Sequence, residues 1–169
     1  MKNQRTIEEI EKEIAEEFSL FDSWDDKYEY IIDLGKKLPP LEDQHKIDEN
    51  RVRGCQSTVW LVAGYRDAGP DDPVGRGKVF YKAESDAVIV KGLISLLIRV
   101  LSGQSPDNII QAKLNFIQQI GMTTHLAQTR SNGLLAMVKQ MKNFALAYKI
   151  KNSISLNDYE YRSAETKNN

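Results

Sequence analysis

The run from Val88 to Leu101 is the most apolar stretch of the chain, and it limits the possible folds more than any other segment. It is short for a membrane span and contains Lys91 and Arg99, so it reads as a buried core helix that other elements must cover. Ser85 can cap this helix, and Asp86 opens it with a carboxylate suited to the positive end of the helix dipole. The helix is expected to stop near Gly103. A chain of 169 residues with this apolar content fits one domain with a real core, assigned to residues 1–151, followed by a polar, flexible tail at 152–169.

Other elements follow from capping residues and apolar period. Thr6 with Glu9 forms a capping-box signature, and Ile7, Ile10, Ile14 and Phe18 recur at helical spacing. Ser23 with Asp26 repeats the pattern for a second helix, with Trp24, Tyr28, Ile31 and Gly35 on one face and Pro39-Pro40 as a stop near Leu38. The charged segment Leu41 to Glu49 lacks an apolar period and reads as an irregular connection to a short strand near Asn50 to Arg53. Val59, Leu61, Ala63 and Tyr65 alternate with Thr58, Trp60 and Val62, which suggests a central strand covered on both faces. Breaks at Gly69-Pro70-Asp71-Asp72-Pro73 and Gly75-Arg76-Gly77 precede a second extended run, Lys78 to Ala83, giving a long-looped hairpin. Ser105-Pro106 starts a helix expected to reach Gly121, and a last helix begins at about Ser131 with Leu134, Val138, Met141, Phe144 and Tyr148 inward. The fold class is α+β: a small antiparallel sheet of about three strands flanked by helices.

A formal net charge of -1 gives no large basic patch, so no nucleic-acid partner is expected. No membrane partner is expected either, and the polar N-terminal stretch lacks the charged-then-apolar layout of a signal peptide, so the cytoplasm is the expected location. One cysteine permits neither an internal disulfide nor the clustered thiolates of a zinc site or an iron-sulfur cluster, so no metal is expected on this chain.

That cysteine, Cys55, follows Gly54, which can turn the chain sharply and place the next side chain at a loop tip. Arg51 and Arg53 are near enough in sequence to favour the thiolate, while burial would oppose it. Composition alone favours a plain buried hydrophobe. The neighbouring residues change that reading. The run Gly54-Cys55-Gln56-Ser57-Thr58-Val59-Trp60 resembles the active-site segment of the SufE family, the sulfur-acceptor partners of cysteine desulfurases. Three further segments agree in order: Trp24 to Pro39, Ser85 to Ile94, and His125 to Leu134. Where the family commonly has a proline shortly before the last motif's arginine, this chain has Ala127-Gln128-Thr129-Arg130. The stretch Tyr65 to Gly77 is longer than usual.

The resemblance implies a SufE/IscU-like fold and a function: Cys55 accepts persulfide sulfur from a SufS-type or CsdA-type cysteine desulfurase, stimulates that enzyme, and passes sulfur to an iron-sulfur scaffold complex. It implies an accessory protein without independent turnover, and no cofactor on this chain, the pyridoxal phosphate residing on the desulfurase. A homodimer stays open. The absence of a second cysteine suits a carrier, since a neighbouring thiol would resolve the adduct into a disulfide. The thiol also needs shelter from oxidants, with Val52, Val59 and Trp60 as candidate walls.

Gln56 and Ser57 could hydrogen-bond the sulfur, although polar residues after a tight turn more often serve the backbone. Arg130 resembles the family's arginine near the thiol, where a cation stabilises thiolate or persulfide; the alternative is a surface arginine at a helix start. Asp86 resembles a family carboxylate near the same pocket, but its place at a helix start is reason enough for it. His45 or His125 could in principle serve Cys55 as the base of a hydrolase, and neither spacing encodes a dyad. Gly54, Gly92 and Gly133 are isolated glycines and make no phosphate loop. A non-carrying regulatory module is the remaining rival.

Overall fold

A computed structural model describes residues 4–68 and 77–165, with side chains through Asn152. Around the apolar run of the sequence, α1 (Ile7–Phe18), α2 (Trp24–Lys36), strand β2 (Lys78–Ser85) and α7 (Gln128–Glu165) gather against α3 (Val88–Leu101), and strand β1 (Val59–Arg66) pairs with β2. Short helices α4 (Pro106–Gln111), α5 (Phe116–Gln119) and α6 (Met122–His125) connect α3 to α7. Leu93, Ile94, Leu96, Leu97, Val100 and Leu101 of α3 are at most 1 % exposed, as a core helix requires.

The caps form where expected. Thr6 and Glu9 exchange both capping-box bonds, Ser23 Oγ accepts from the Asp26 amide, and Ser105 Oγ accepts from the Asn108 amide. The start of α3 differs. Its N-cap is Ala87, because Ser85 and Asp86 are used elsewhere: Ser85 Oγ donates to the Thr58 carbonyl, and Asp86 Oδ1 accepts from the Thr58 amide.

β1 and β2 pair antiparallel in the register Val59 with Ser85 through Arg66 with Lys78. Among the described residues the regular sheet has two strands. The third pairing expected at Asn50 to Arg53 is reduced to one bridge, Arg51 with Trp60, beside a 2.8 Å bond from the Val52 amide to the Val59 carbonyl. The chain turns away at Gly54 before a ladder can grow. β1 is therefore an edge strand beyond its first residues, and its burial falls from Val59 and Leu61 toward the exposed Gly64 and Arg66. The glycine and proline breaks expected at 69–76 lie outside the described residues.

The helix expected from Ser105 to Gly121 is interrupted. Leu114 takes φ 54°, in the left-handed region where a non-glycine residue is uncommon, and its side chain is buried. The buried Glu11 carboxylate accepts backbone hydrogen bonds from Leu114, Asn115 and Phe116, and Lys142 Nζ donates to the Ala112 carbonyl at 2.5 Å, so both orphaned ends of the break have partners. Helix α7 starts at Gln128, before the expected Ser131, and continues to Glu165, through much of the segment read as a tail. Residues 166–169 lie outside the described residues.

Two contacts set the frame for the site. Helices α2 and α3 cross at Gly35 and Gly92: a Cβ on Gly92 would fall 2.0 Å from the Ile31 carbonyl oxygen, and one on Gly35 would fall 2.6 Å from the Gly92 nitrogen. The backbones touch there. Helix α7 is tied to the hairpin by two phenols, Tyr81 donating to the Met141 carbonyl at 2.6 Å and Tyr148 to the Ala63 carbonyl at 3.1 Å.

Candidate functional site

Gly54 has φ 92°, a conformation other residues rarely adopt, and it turns the chain out of the Arg51 bridge and into the Cys55 loop. The loop is fastened at both ends, by the Val52 amide to Val59 and by Thr58, whose amide and carbonyl bond Asp86 and Ser85. Asp86 therefore acts on the loop base, and it does not line the cavity beside the thiol.

Cys55 is half-buried at the edge of a cavity of about 280 Å3. Gln56 and Ser57 line it from the loop, Val90 and Leu93 from α3, and Arg130, Gly133 and Met137 from α7. Three segments far apart in sequence thus meet at one cavity. Val52, Val59 and Trp60, expected as walls, lie outside the lining. Val59 points into the core at 1 % exposure, and the apolar walls come instead from α3 and α7. The strand's period showed that Val59 is buried but could not show on which side of the loop.

Burial pushes the Cys55 thiol above its ordinary value, with no opposing charge close enough to reverse it. Arg51 and Arg53 do not supply that charge, because both turn to Asp48, at 3.7 Å and 2.8 Å. Burial thus favours the thiol over the thiolate, and Cys55 Sγ lies 3.5 Å from the Gly133 carbonyl oxygen, positioned to donate its S–H there. Arg130 is exposed in the first turn of α7 and shares the cavity with Cys55; among the described residues no carboxylate pairs with it. Its charge is free to answer negative charge that develops on sulfur.

The histidines are engaged elsewhere. His125 stacks on Trp24 at 4.4 Å, and its carbonyl accepts from Tyr28; His45 lies 3.2 Å from Glu42. Neither lines the cavity, so the geometry gives Cys55 no histidine base. Among the described residues no cluster of ligating side chains could hold a metal ion, and no helix is long and apolar enough to cross a membrane.

Gly133, Met137, Val90 and Leu93 were not singled out as site residues from the sequence. Gly133 reads there as an isolated glycine, and only its place in a segment shared with Arg130 hinted at the site.

The family model for SufE, described as an Fe-S metabolism associated domain, matches residues 12–145. An uncharacterized SufE-like protein of Rhizobium meliloti (strain 1021) is 36% identical over 134 residues, covering 79% of this chain and 92% of the relative. SufE-like protein 1, chloroplastic/mitochondrial, of Arabidopsis thaliana is 37% identical over 148 residues, covering 86% of this chain and 38% of the longer plant protein. The fold is shared with a hypothetical protein from Thermus thermophilus solved in solution, with a TM-score of 0.62 at 21% identity, covering 82% of this chain and 94% of that one.

Proposed function

The chain belongs to the SufE family of Fe-S metabolism, and on that premise we propose that Cys55 is a sulfur carrier loaded by a cysteine desulfurase of the SufS or CsdA type. The observation that carries the reading is the meeting of the lone thiol, within Gly54-Cys55-Gln56-Ser57, with Arg130, which has no carboxylate partner among the described residues, at one partly enclosed cavity.

In the proposed step the Cys55 thiolate attacks the outer sulfur of the desulfurase's cysteine persulfide. A new bond forms between Cys55 Sγ and that sulfur, the donor's sulfur-sulfur bond breaks, and the donor cysteine leaves as a thiolate that takes up a proton. No external oxidant or reductant is needed, since sulfane sulfur only changes hands. Arg130 would stabilise the anionic sulfur before and after the step, while the apolar walls Val90, Leu93 and Met137 keep water and oxidants from the adduct. Removing the donor's persulfide frees the desulfurase for another cycle, which accounts for stimulation. An iron-sulfur scaffold complex would receive the sulfur. The chain would act in the cytoplasm as an accessory protein without its own turnover or cofactor, the pyridoxal phosphate remaining on the desulfurase.

The decisive experiment is intact-mass analysis of the full chain after incubation with a desulfurase and cysteine. One added sulfur is expected on the native protein and none on Cys55→Ser, which keeps nearly the same shape and cannot form a persulfide. If the serine protein acquired the same adduct, or stimulated the desulfurase fully, Cys55 would not be the carrier.

A further inference from the structure

Gly133 is an odd choice for its position. It lies inside α7 with no positive φ, so the backbone there does not need glycine, and glycine costs a helix interior about 1 kcal/mol relative to alanine. What its missing side chain leaves is bare backbone facing Cys55, with room for a methyl group in contact and none for a branched side chain. A Cβ at residue 133 would lie 3.4 Å from Cys55 Sγ and 3.9 Å from Cys55 Cα and Cβ. The sulfur rests on bare helix backbone, 3.5 Å from the Gly133 carbonyl oxygen.

We propose that Gly133 is a positioning residue that sets the resting reactivity of Cys55: its bare Cα leaves the thiol room beside α7, and its carbonyl accepts the S–H. The seat discriminates between forms of the sulfur. A thiol can donate to the carbonyl, whereas a thiolate would bring negative charge against a carbonyl oxygen and loses the bond. The seat therefore holds the protonated, unreactive form, in the same sense as the half-burial of the group. Loading changes the seat as well. Once Sγ is bonded to a second sulfur it has no proton to donate, so the adduct is released from Gly133 into the space lined by Thr129, Arg130 and Met137. Residue 133 thus biases the empty carrier toward its sheltered state and leaves the loaded carrier free to move. This regulation rests on the sulfur-carrier reading only in its purpose, since the seat itself is a property of the isolated chain.

The test is the labelling rate of Cys55 by iodoacetamide in the full chain, measured from neutral to alkaline pH, for the native protein and for Gly133→Ala and Gly133→Val. Valine should displace the sulfur and raise the neutral-pH rate roughly tenfold, with the pH profile moving toward that of an exposed thiol. Alanine, whose Cβ would only reach contact distance, should give a smaller rise in rate and a thermal midpoint at or above the native one. Rates and pH profiles unchanged in both variants, with alanine merely stabilising the helix, would overturn the proposal. Should the valine chain not fold, the alanine chain decides alone, by a rise in rate or by none. Failure of the carrier reading would look different: no sulfur on native Cys55 from a desulfurase, with the labelling differences at residue 133 intact.

Discussion

Two pairs of glycines bring parts of this molecule close together, and they do opposite work. At the α2/α3 crossing, a Cβ on Gly92 or Gly35 would fall 2.0 to 2.6 Å from main-chain atoms of the neighbouring helix. At the site, a Cβ on Gly54 would lie 3.3 Å from the Ala136 side chain, and one on Gly133 would lie 3.4 Å from Cys55 Sγ. The first gap is closed by backbone that cannot yield; the second is occupied by side-chain atoms beside an open cavity. One region trades its side chains for rigidity, and the other for room beside the Cys55 sulfur.

The contrast is most directly broken at the crossing. Gly92→Ala should destabilise the chain by about 3 kcal/mol, at the upper end of overpacking costs, because two helices must separate. Urea unfolding checks this, and a variant as stable as the native protein would show that the crossing relaxes easily.

A smaller loss is expected from the ion-pair network beside it. Arg99 grips Glu17 through two nitrogens at 2.8 and 2.5 Å, and Tyr30 donates to the same carboxylate at 2.6 Å. The Arg99 hydrogen bond holds the Glu17 carboxyl below its ordinary value. A carboxyl lowered in the folded state adds stability above its unfolded pKa, and that stability is lost as pH falls through the folded value. Glu17→Gln should therefore cost roughly 1 kcal/mol near neutrality, allowing for partial exposure, and should flatten the acid limb of a melting-temperature profile. An acid limb with native slope would locate the titration elsewhere.

At the site the expected losses pass from stability to chemistry. Arg130→Ala should change stability by less than about 0.5 kcal/mol, since the side chain is exposed. It should slow sulfur acceptance roughly fivefold, equivalent to about 1 kcal/mol in the barrier. Mass-resolved loading time courses measure this, and an unchanged rate across pH would return Arg130 to a surface role.

The slightest effect concerns alkali. A thiol raised in the folded state contributes stability below its unfolded pKa, and this is lost as pH rises through the folded value. Cys55→Ser should reduce the alkaline decline in melting temperature by a small amount. An identical decline would mean that burial of the thiol is not felt by folding.

What could be read from the sequence followed the range over which each signal acts. Caps at Thr6, Ser23 and Ser105 and the burial of Val88 to Leu101 are local signals, and the fold reproduces them. The break at Leu114 was hidden, because Leu114 keeps an apolar residue inward whether or not the helix continues, and its partners Glu11 and Lys142 come from remote segments. The caps expected from Ser85 and Asp86 were taken by Thr58 for the same reason. At the site, Cys55 and Arg130 were visible through their motifs. The seat at Gly133 was not, since an absent side chain leaves no pattern until the atom that fills its space is seen.

The two phenolic bonds that tie α7 to the hairpin give the site a fixed rail and a moving tongue. Tyr81 and Tyr148 hold the helix at Met141 and against Ala63, so Arg130, Gly133 and Met137 cannot slide along the sheet without breaking a buried hydrogen bond. The Cys55 loop is fastened by its backbone at Val52 and Thr58, and between these points its tip meets α7 through the long contact of Cys55 Sγ with the Gly133 carbonyl. Under the proposed carrier role, travel of the sulfur would be the travel of a few loop residues pivoting between two hinges over a stationary track, a short stroke that would leave the core undisturbed.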